Sequence, residues 1–458
     1  MGPMTTHHEL SDATPWDIGG DDDKLREECG IFGVLGVRDA AATVALGLHA
    51  LQHRGQEAAG ITSFDGKEFY SRKGIGHVAA NFSASAAIAE LPGMMASGHV
   101  RYSTTGGAGL RNVQPLFADL ASGGFSIAHN GNISNAMFLK RDLVRKGAIF
   151  QSTSDTEVII HLVATSRYPT LLDRFVDALR LVEGAYSLIC MTPEGMIACR
   201  DPIGIRPLVM GKLGDAVVFA SETVALDVVG AEFVREVEPG ELIQVDLDGN
   251  LSTHRPFGTP DARPCIFEHV YFSRPDSLMG GNSVYQVRKA IGAQLAIESP
   301  ADADLVIPVP DSGVPAALGY AQQAGIPFEL GIIRSHYVGR TFIQPSDGAR
   351  NADVKRKHNA NRALVAGKRI FDLAPTSSHE ELRLQMARVF TTGEAGALEI
   401  DVVELGPRHR RVREALRLPL ALRLIVLLLR HGSGSCPDRN GRSGCCGLRK
   451  ATFARSRS

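Results

Sequence analysis

Short runs of β-branched and aromatic residues, separated by Gly-rich turns, recur from Cys29 to about His254: CGIFGVLGV, AAGITSF, GHVRYSTTG, FSIAHNGNI, AYSLICMT, GMIACRD, AVVFASE and ELIQVDLDG. Runs of this length bounded by turn residues predict strands. Two helices are predicted among them. Over Ala40–His53, Val44, Leu48 and Leu51 follow the spacing of one helix face. In STSDTEVIIHLVA, Ser154 and Glu157 stand in capping-box relation ahead of an apolar run. Many strands with few helices predict stacked antiparallel sheets flanked by helices. Pro and Gly density then rises in HRPFGTPDARP, which marks a domain boundary.

Beyond that boundary the spacing predicts a helix near Val284–Glu298 with Val284, Val287, Ile291 and Leu295 on one face. DLVIPVPDSGVPAALGYAQQAG reads as an apolar strand, a polar turn and a helix, half of an α/β unit in a parallel sheet. FELGII predicts a further strand, followed by a polar and basic stretch to Arg369. After Arg369 the chain is rich in Arg, Leu, Ser and Gly without strand alternation. A helix through Arg410–Arg430 would be kinked at Pro419, and the end reads as poorly structured.

A length of 458 residues allows two or three domains. The formal net charge of -1 argues against nucleic acid or an acidic membrane as a partner, so any anion site must be local. Seven scattered cysteines without a secretory context suit a reducing cytoplasm better than a disulfide framework. The longest apolar run, Leu424–Leu429, falls far short of the ~20 residues of a membrane span. Met1–Lys24 lacks hydrophobic periodicity and the apolar region of a secretory signal, and reads as a disordered leader.

Cys29 opens the first apolar run directly behind that leader. A nucleophilic cysteine needs a base or a lowered pKa. Cleavage between Glu28 and Cys29 would supply one, an α-amino group with a reference pKa of about 7.7–8.0. A lone cysteine ahead of Gly-Ile-Phe-Gly equally suits a buried position on a first strand.

CGIFGV, LQHRGQEAAGI, GHVRYSTTG, AHNGNI and SDTE occur in this order. Together they resemble the N-terminal-nucleophile (Ntn) glutaminase domain of class II glutamine amidotransferases, and more narrowly the amidophosphoribosyltransferase family, from about Cys29 to Arg369. The resemblance implies a propeptide over 1–28 and an α+β Ntn glutaminase of stacked antiparallel sheets over 29–258. An incomplete α/β phosphoribosyltransferase domain follows over 259–369, and 370–458 is a tail without family resemblance.

The resemblance makes Cys29 the nucleophile, with the Asn130 side-chain amide and the Gly131 N–H as donors to the oxyanion. Taken alone, Asn-Gly is a hairpin-turn signal. Arg101 offers a fork for the α-carboxylate of glutamine, Asp155 a counter-charge for its ammonium, and Thr104 a hydroxyl. Outside the family Arg101 reads as an exposed strand arginine and Asp155 as a helix N-cap. The polar residues of QHRGQE read as packing support at a helix end, with no catalytic step.

In the second domain the resemblance implies 5-phosphoribosyl diphosphate chelated to Mg²⁺, with Ser312 of PVPDSGVPAALG at a metal-coordinating position that also suits helix capping. Arg340, Lys357 and Arg362 are candidates for phosphate contact, although a charge run usually forms a solvated face. Cys265 matches the first ligand of the [4Fe–4S] cluster in the leader-bearing branch of the family. Four thiolates are needed, and Cys436, Cys445 and Cys446 stand in no recognisable context.

The family continues with a strand ending in two adjacent aspartates and a Gly-Thr-Thr loop. Here IFDLAPTSSHEELRLQMARVF follows Arg369, Asp372 is isolated, and the break looks like a shifted reading frame. The expected activity is therefore a glutamine-dependent amidophosphoribosyltransferase of purine biosynthesis with impaired phosphoribosyl transfer. Its expected partners are glutamine, the phosphoribosyl substrate, inhibitory purine nucleotides and further copies of the chain in a homo-oligomer. The alternatives are another class II amidotransferase, such as an aminosugar-forming synthase, and a non-catalytic product that binds glutamine or joins subunits.

Overall fold

The computed structural model describes residues 29–102, 109–258 and 261–335, and beyond them 358–361, 364, 368–372, 400–401 and 426–431. The chain starts with β1 (Gly30–Leu35), α1 (Ala40–Ala50), a 3₁₀ turn at Gln52–Arg54, β2 (Ala58–Phe64), β3 (Phe69–Ile75), the short α2 (Val78–Phe82) and α3 (Ser85–Ala89), and β4 (Met95–Arg101). Next come β5 (Leu116–Leu120), β6 (Gly123–Ile133), α4 (Ala136–Arg145), α5 (Glu157–Thr165), α6 (Leu171–Leu179), β7 (Gly184–Thr192) and β8 (Gly195–Arg200). The first unit closes with β9 (Val209–Leu213), β10 (Ala216–Ala220), α7 (Thr223–Val229), β11 (Glu232–Glu236), β12 (Leu242–Asp246) and β13 (Leu251–His254).

These strands form two antiparallel sheets, in the orders β11-β9-β10-β1-β4-β2-β3 and β13-β12-β8-β7-β6-β5. Period-two alternation gives each strand two destinations. On β1, Ile31 and Leu35 point into a core shared with Ala128, Ile189 and Met196 of the other sheet, while Phe32 and Val34 pack outward against Val44 and Leu48 of α1. The outer face of the second sheet, through Phe125, Ile127 and Leu188, meets Val158, Leu162 and Phe175 of α5 and α6. The result is a helix-sheet-sheet-helix sandwich, the stacked antiparallel arrangement that the sequence motifs lead one to expect.

The chain continues through a π-helical turn at Glu268–Phe272, a hairpin of β14 (Leu278–Met279) and β15 (Asn282–Ser283), α8 (Val284–Glu298), β16 (Leu305–Pro308), α9 (Val314–Ala324) and β17 (Ile332–Arg334). The remaining described strands are β18 (His358–Ala360), β19 (Lys368–Asp372), β20 (Ile400–Asp401) and β21 (Val426–His431). They complete an incomplete α/β domain whose larger sheet runs β16-β21-β19-β20.

Three local expectations are corrected. The buried face of α8 is Val284, Arg288, Gly292 and Ala296, one residue on from the apolar set; Val287, Ile291 and Leu295 flank it, half-buried. The cause is close packing on α9: a Cβ on Gly292 would collide with the Ala316 carbonyl, and one on Gly319 with that of Lys289. The pair therefore approaches through its glycines. Ser154 and Glu157 form no capping box. The Glu157 carboxylate instead accepts from Gln151 N, Ser152 N and Ser152 Oγ at 2.7, 2.7 and 2.6 Å, and Thr156 is the N-cap of α5. Finally, Val426–His431 is a strand and not the end of a helix. It lies between β16 and β19, antiparallel to both, so that this sheet is mixed where a parallel one was expected.

Candidate active site

Pairing of β1 with β4 sets Gly30 opposite Val100, so the residue before Gly30 reaches the end of β4. Cys29 is half-buried there, with its thiol 3.7 Å from the Tyr102 carbonyl oxygen. Arg101 closes β4 and is buried, not exposed as an isolated strand arginine would be. Two residues earlier on the same strand, His99 is fully buried; burial, then the charges of Arg101 and His129, push its imidazole down to about 3. It is neutral at any working pH and adds no charge near Cys29.

Asn130 and Gly131 lie inside the long strand β6, so the Asn-Gly pair is not a turn. Gly131 pairs with Tyr186 of β7 and has φ of +147°, and a Cβ there would collide with the Ala185 carbonyl oxygen. Only glycine fits. Asn130, on the inter-sheet side of β6, is fully buried and donates from Nδ2 to Ser221 Oγ at 3.5 Å. Ser221 Oγ also accepts from Ile31 N at 3.0 Å, two residues from Cys29.

Asp155 is tied to the same strand. Its carboxylate accepts from Ile133 N at 2.9 Å and from Thr156 N at 2.8 Å, and lies 3.9 Å from His129 Nδ1. It precedes the N-cap, Thr156, and does not serve as the cap itself. Cys29, Arg101, Asn130, Gly131 and Asp155 thus gather at one end of the two sheets, linked through Tyr102, Ser221 and Ile133. Thr104 lies outside the described residues.

A buried ion-pair network lies behind Cys29. Arg54, in QHRGQE, donates from Nε to the Cys29 carbonyl oxygen at 2.9 Å and clasps Glu222 and Glu268 with its other nitrogens at 2.6–2.9 Å. His53 Nε2 reaches Glu222 at 2.7 Å, and Arg206 reaches Glu268 at 3.2 Å. Burial alone would raise both carboxyls. His53 and Arg54 overcome it at Glu222, and Arg54 and Arg206 at Glu268, so both sit below the ordinary carboxylate value. Glu222 and Glu268 carry no motif signal; charged residues inside otherwise apolar runs, as in ASET and CIFEHV, are the available clue.

The second-domain candidates are not gathered at this site. Ser312 is half-buried in the turn between β16 and α9, and no side chain caps α9. Its neighbour Asp311 pairs with Arg334. Arg340, Lys357 and Arg362 lie outside the described residues. Cys265 is half-buried, with its backbone N–H on the Ile205 carbonyl. Cys190 and Cys199 are locked in the glutaminase core, and Cys436, Cys445 and Cys446 lie outside the described residues. Among the described residues no three His, Cys, Asp or Glu side chains gather as metal ligands.

Residues 99–228 match a family described as a glutamine amidotransferase domain. The chain is 54% identical over 401 residues to the amidophosphoribosyltransferase of Rhizobium etli, covering 87% of this chain and 80% of that one. Among solved structures it is similar to the glutamine phosphoribosylpyrophosphate amidotransferase of B. subtilis complexed with ADP and GMP. That match has a TM-score of 0.69 at 46% identity, over 75% of this chain and 74% of that one. A structure described as the allosteric regulatory enzyme of purine biosynthesis matches with a TM-score of 0.73 at 44% identity, over 82% and 80%.

Proposed function

The chain belongs to the amidophosphoribosyltransferase family, and from that premise we propose that it hydrolyses glutamine at Cys29 and directs the ammonia to 5-phosphoribosyl diphosphate. The products are 5-phosphoribosylamine, glutamate and diphosphate, in the first step of purine biosynthesis in the cytoplasm. Removal of residues 1–28 frees the α-amino group of Cys29, which takes the thiol proton. The thiolate attacks the glutamine carboxamide carbon, and the carbonyl electrons move onto its oxygen, where Asn130 Nδ2 and the Gly131 N–H stabilise the charge. Collapse returns the proton to the leaving nitrogen, releases ammonia and leaves a thioester, which water cleaves to glutamate and free thiol. Arg101 holds the α-carboxylate of the substrate, Asp155 its ammonium, and Thr104 donates a hydroxyl.

Exclusion of water keeps the ammonia unprotonated on its way to the sugar. Mg²⁺ enters with the diphosphate, which supplies most of its ligands, and the Ser312 hydroxyl is a hard oxygen of the type such an ion takes. Arg340, Lys357 and Arg362 meet the phosphates, purine nucleotides inhibit, and the active form is a homo-oligomer. With Asp372 unaccompanied by a second aspartate, phosphoribosyl transfer is impaired relative to glutamine hydrolysis.

The observation that supports this reading is the hydrogen-bonded link from Ile31, two residues after Cys29, through Ser221 Oγ to Asn130 Nδ2. The test is glutamate and phosphoribosylamine release with and without 5-phosphoribosyl diphosphate, for the wild type and Cys29→Ala. Glutamate release that survives Cys29→Ala overturns the nucleophile assignment. Full phosphoribosylamine synthesis by the wild type overturns the impairment.

A further inference from the structure

Ser221 stands where β10 ends and the chain turns away into α7. Its backbone N–H still donates to the Ile31 carbonyl oxygen at 3.0 Å, as the sheet ladder requires. The reciprocal bond is different: Ile31 N donates to the side-chain Oγ of Ser221, also at 3.0 Å, in the place of a backbone carbonyl. That hydroxyl accepts a second donor, Asn130 Nδ2 of the facing sheet, at 3.5 Å. Both side chains are fully buried. Asn130 Oδ1 has no partner, so among the described residues Ser221 is the one hydrogen-bond contact that orients the Asn130 amide. A terminal amide torsion is otherwise broad and roughly two-fold, and only its NH₂ end can serve an oxyanion.

We infer that Ser221 is a positioning residue for amide hydrolysis: its hydroxyl, fixed by the nucleophile's own strand, holds the Asn130 amide nitrogen toward that strand and leaves the second N–H for the oxyanion. One oxygen thereby sets the spacing between the thiol-bearing strand of one sheet and the oxyanion donor of the other. Ser221 acts through Asn130, so its role stands on the oxyanion assignment proposed above.

The experiment measures kcat and KM for glutamine in the full chain for Ser221→Ala, Asn130→Ala, the double variant and Ser221→Thr. The rate of Cys29 alkylation by iodoacetamide, read on the Cys29 peptide, runs in parallel. Alkylation passes through no tetrahedral oxyanion, so it reports fold and thiolate without the feature in question. Removal of an oxyanion donor costs about 10²–10³ in kcat, and loss of its orientation alone is expected to cost about tenfold. Ser221→Ala should therefore lower kcat with KM and alkylation unchanged, add nothing to Asn130→Ala in the double variant, and be rescued by threonine. Unchanged kcat, an equal fall in alkylation, a multiplicative double variant or a threonine variant as slow as alanine each overturns the inference. If Asn130→Ala itself leaves kcat intact while Cys29→Ala abolishes it, the oxyanion assignment falls and the nucleophile stands. Should Ser221→Ala not fold, Ser221→Cys, which offers a weak acceptor in similar volume, carries the same kinetic comparison.

Discussion

Arg54 donates from Nε to the carbonyl oxygen of Cys29 at 2.9 Å, so Cys29 is held through its backbone by a fully buried cation whose other nitrogens grip Glu222 and Glu268. Glu222 follows Ser221 at the end of β10, and Glu268 lies in the π-helical turn that leads to α8. Buried charge thereby ties Cys29 to the segment that leads into α8.

Removing this cation takes away a partner shared by two buried carboxylates and leaves Glu222 with His53 and Glu268 with Arg206. Arg54→Met is expected to cost about 3–5 kcal/mol, the usual penalty for breaking a buried pair from one side. The pH dependence follows from the direction of the shifts. In the wild type both carboxyls lie below their free value of 4.5. Their contribution is complete above that pH and fades as pH falls through the folded values, because the unfolded chain binds protons first. In the variant burial acts with less opposition, the carboxyls rise, and the slope flattens or reverses. Urea unfolding between pH 4 and 8 checks both points; a variant as stable as the wild type with the same slope would contradict them.

Several central strands were legible because they are buried on both faces: β1, β2, β8 and β10 are each fully buried, and each falls within a run read from the sequence. The four sheet edges, β3, β5, β11 and β13, went unread. Their side chains are mostly half-buried or exposed, so no strong hydrophobic pattern marks them. The same contrast holds at the site. Cys29, Asn130 and Gly131 were legible as motif residues, whereas Ser221 and Glu222 act through contacts with residues 190 and 168–169 positions away, which no local spacing encodes.

Gly131→Ala tests the strand geometry beside Asn130. The added methyl meets the Ala185 carbonyl at a φ of +147°, where a side chain is strained whatever the space. A loss of about 1–3 kcal/mol is expected from overpacking and strain, together with a fall in glutamine hydrolysis beyond what partial unfolding explains. Thermal melts and initial rates below the melting range check this; an alanine variant with wild-type stability would show that β6 yields at this position.

Glu157 anchors the loop that carries Asp155. Burial opposes its charge, but His161 and the donors of Ser152 and Gln151 prevail, and its carboxyl is held down to about 2 from 4.5. Its contribution to stability is therefore complete above about 4.5 and is lost as pH falls toward about 2. Glu157→Gln loses a charge-assisted acceptor, about 1.5–3 kcal/mol at pH 7, and the gap to the wild type narrows in acid. Melting temperatures at pH 7 and pH 3 decide: an equal gap at both would mean that the carboxylate charge plays no part.

The α-amino group of Cys29 becomes a base only when the chain starts there. Chain cleaved before Cys29 is expected to hydrolyse glutamine with a rate that rises through the α-amino range of about 7.7–8.0, while chain retaining residues 1–28 has an amide nitrogen at this position and no proton acceptor on the same residue. Its rate should be lower by about 10²–10⁴, the typical contribution of general base catalysis. Intact mass of each fraction, matched to its initial rate across pH 6–9, is the measurement. Equal rates for the two forms, or a profile flat across that window, would require a different base.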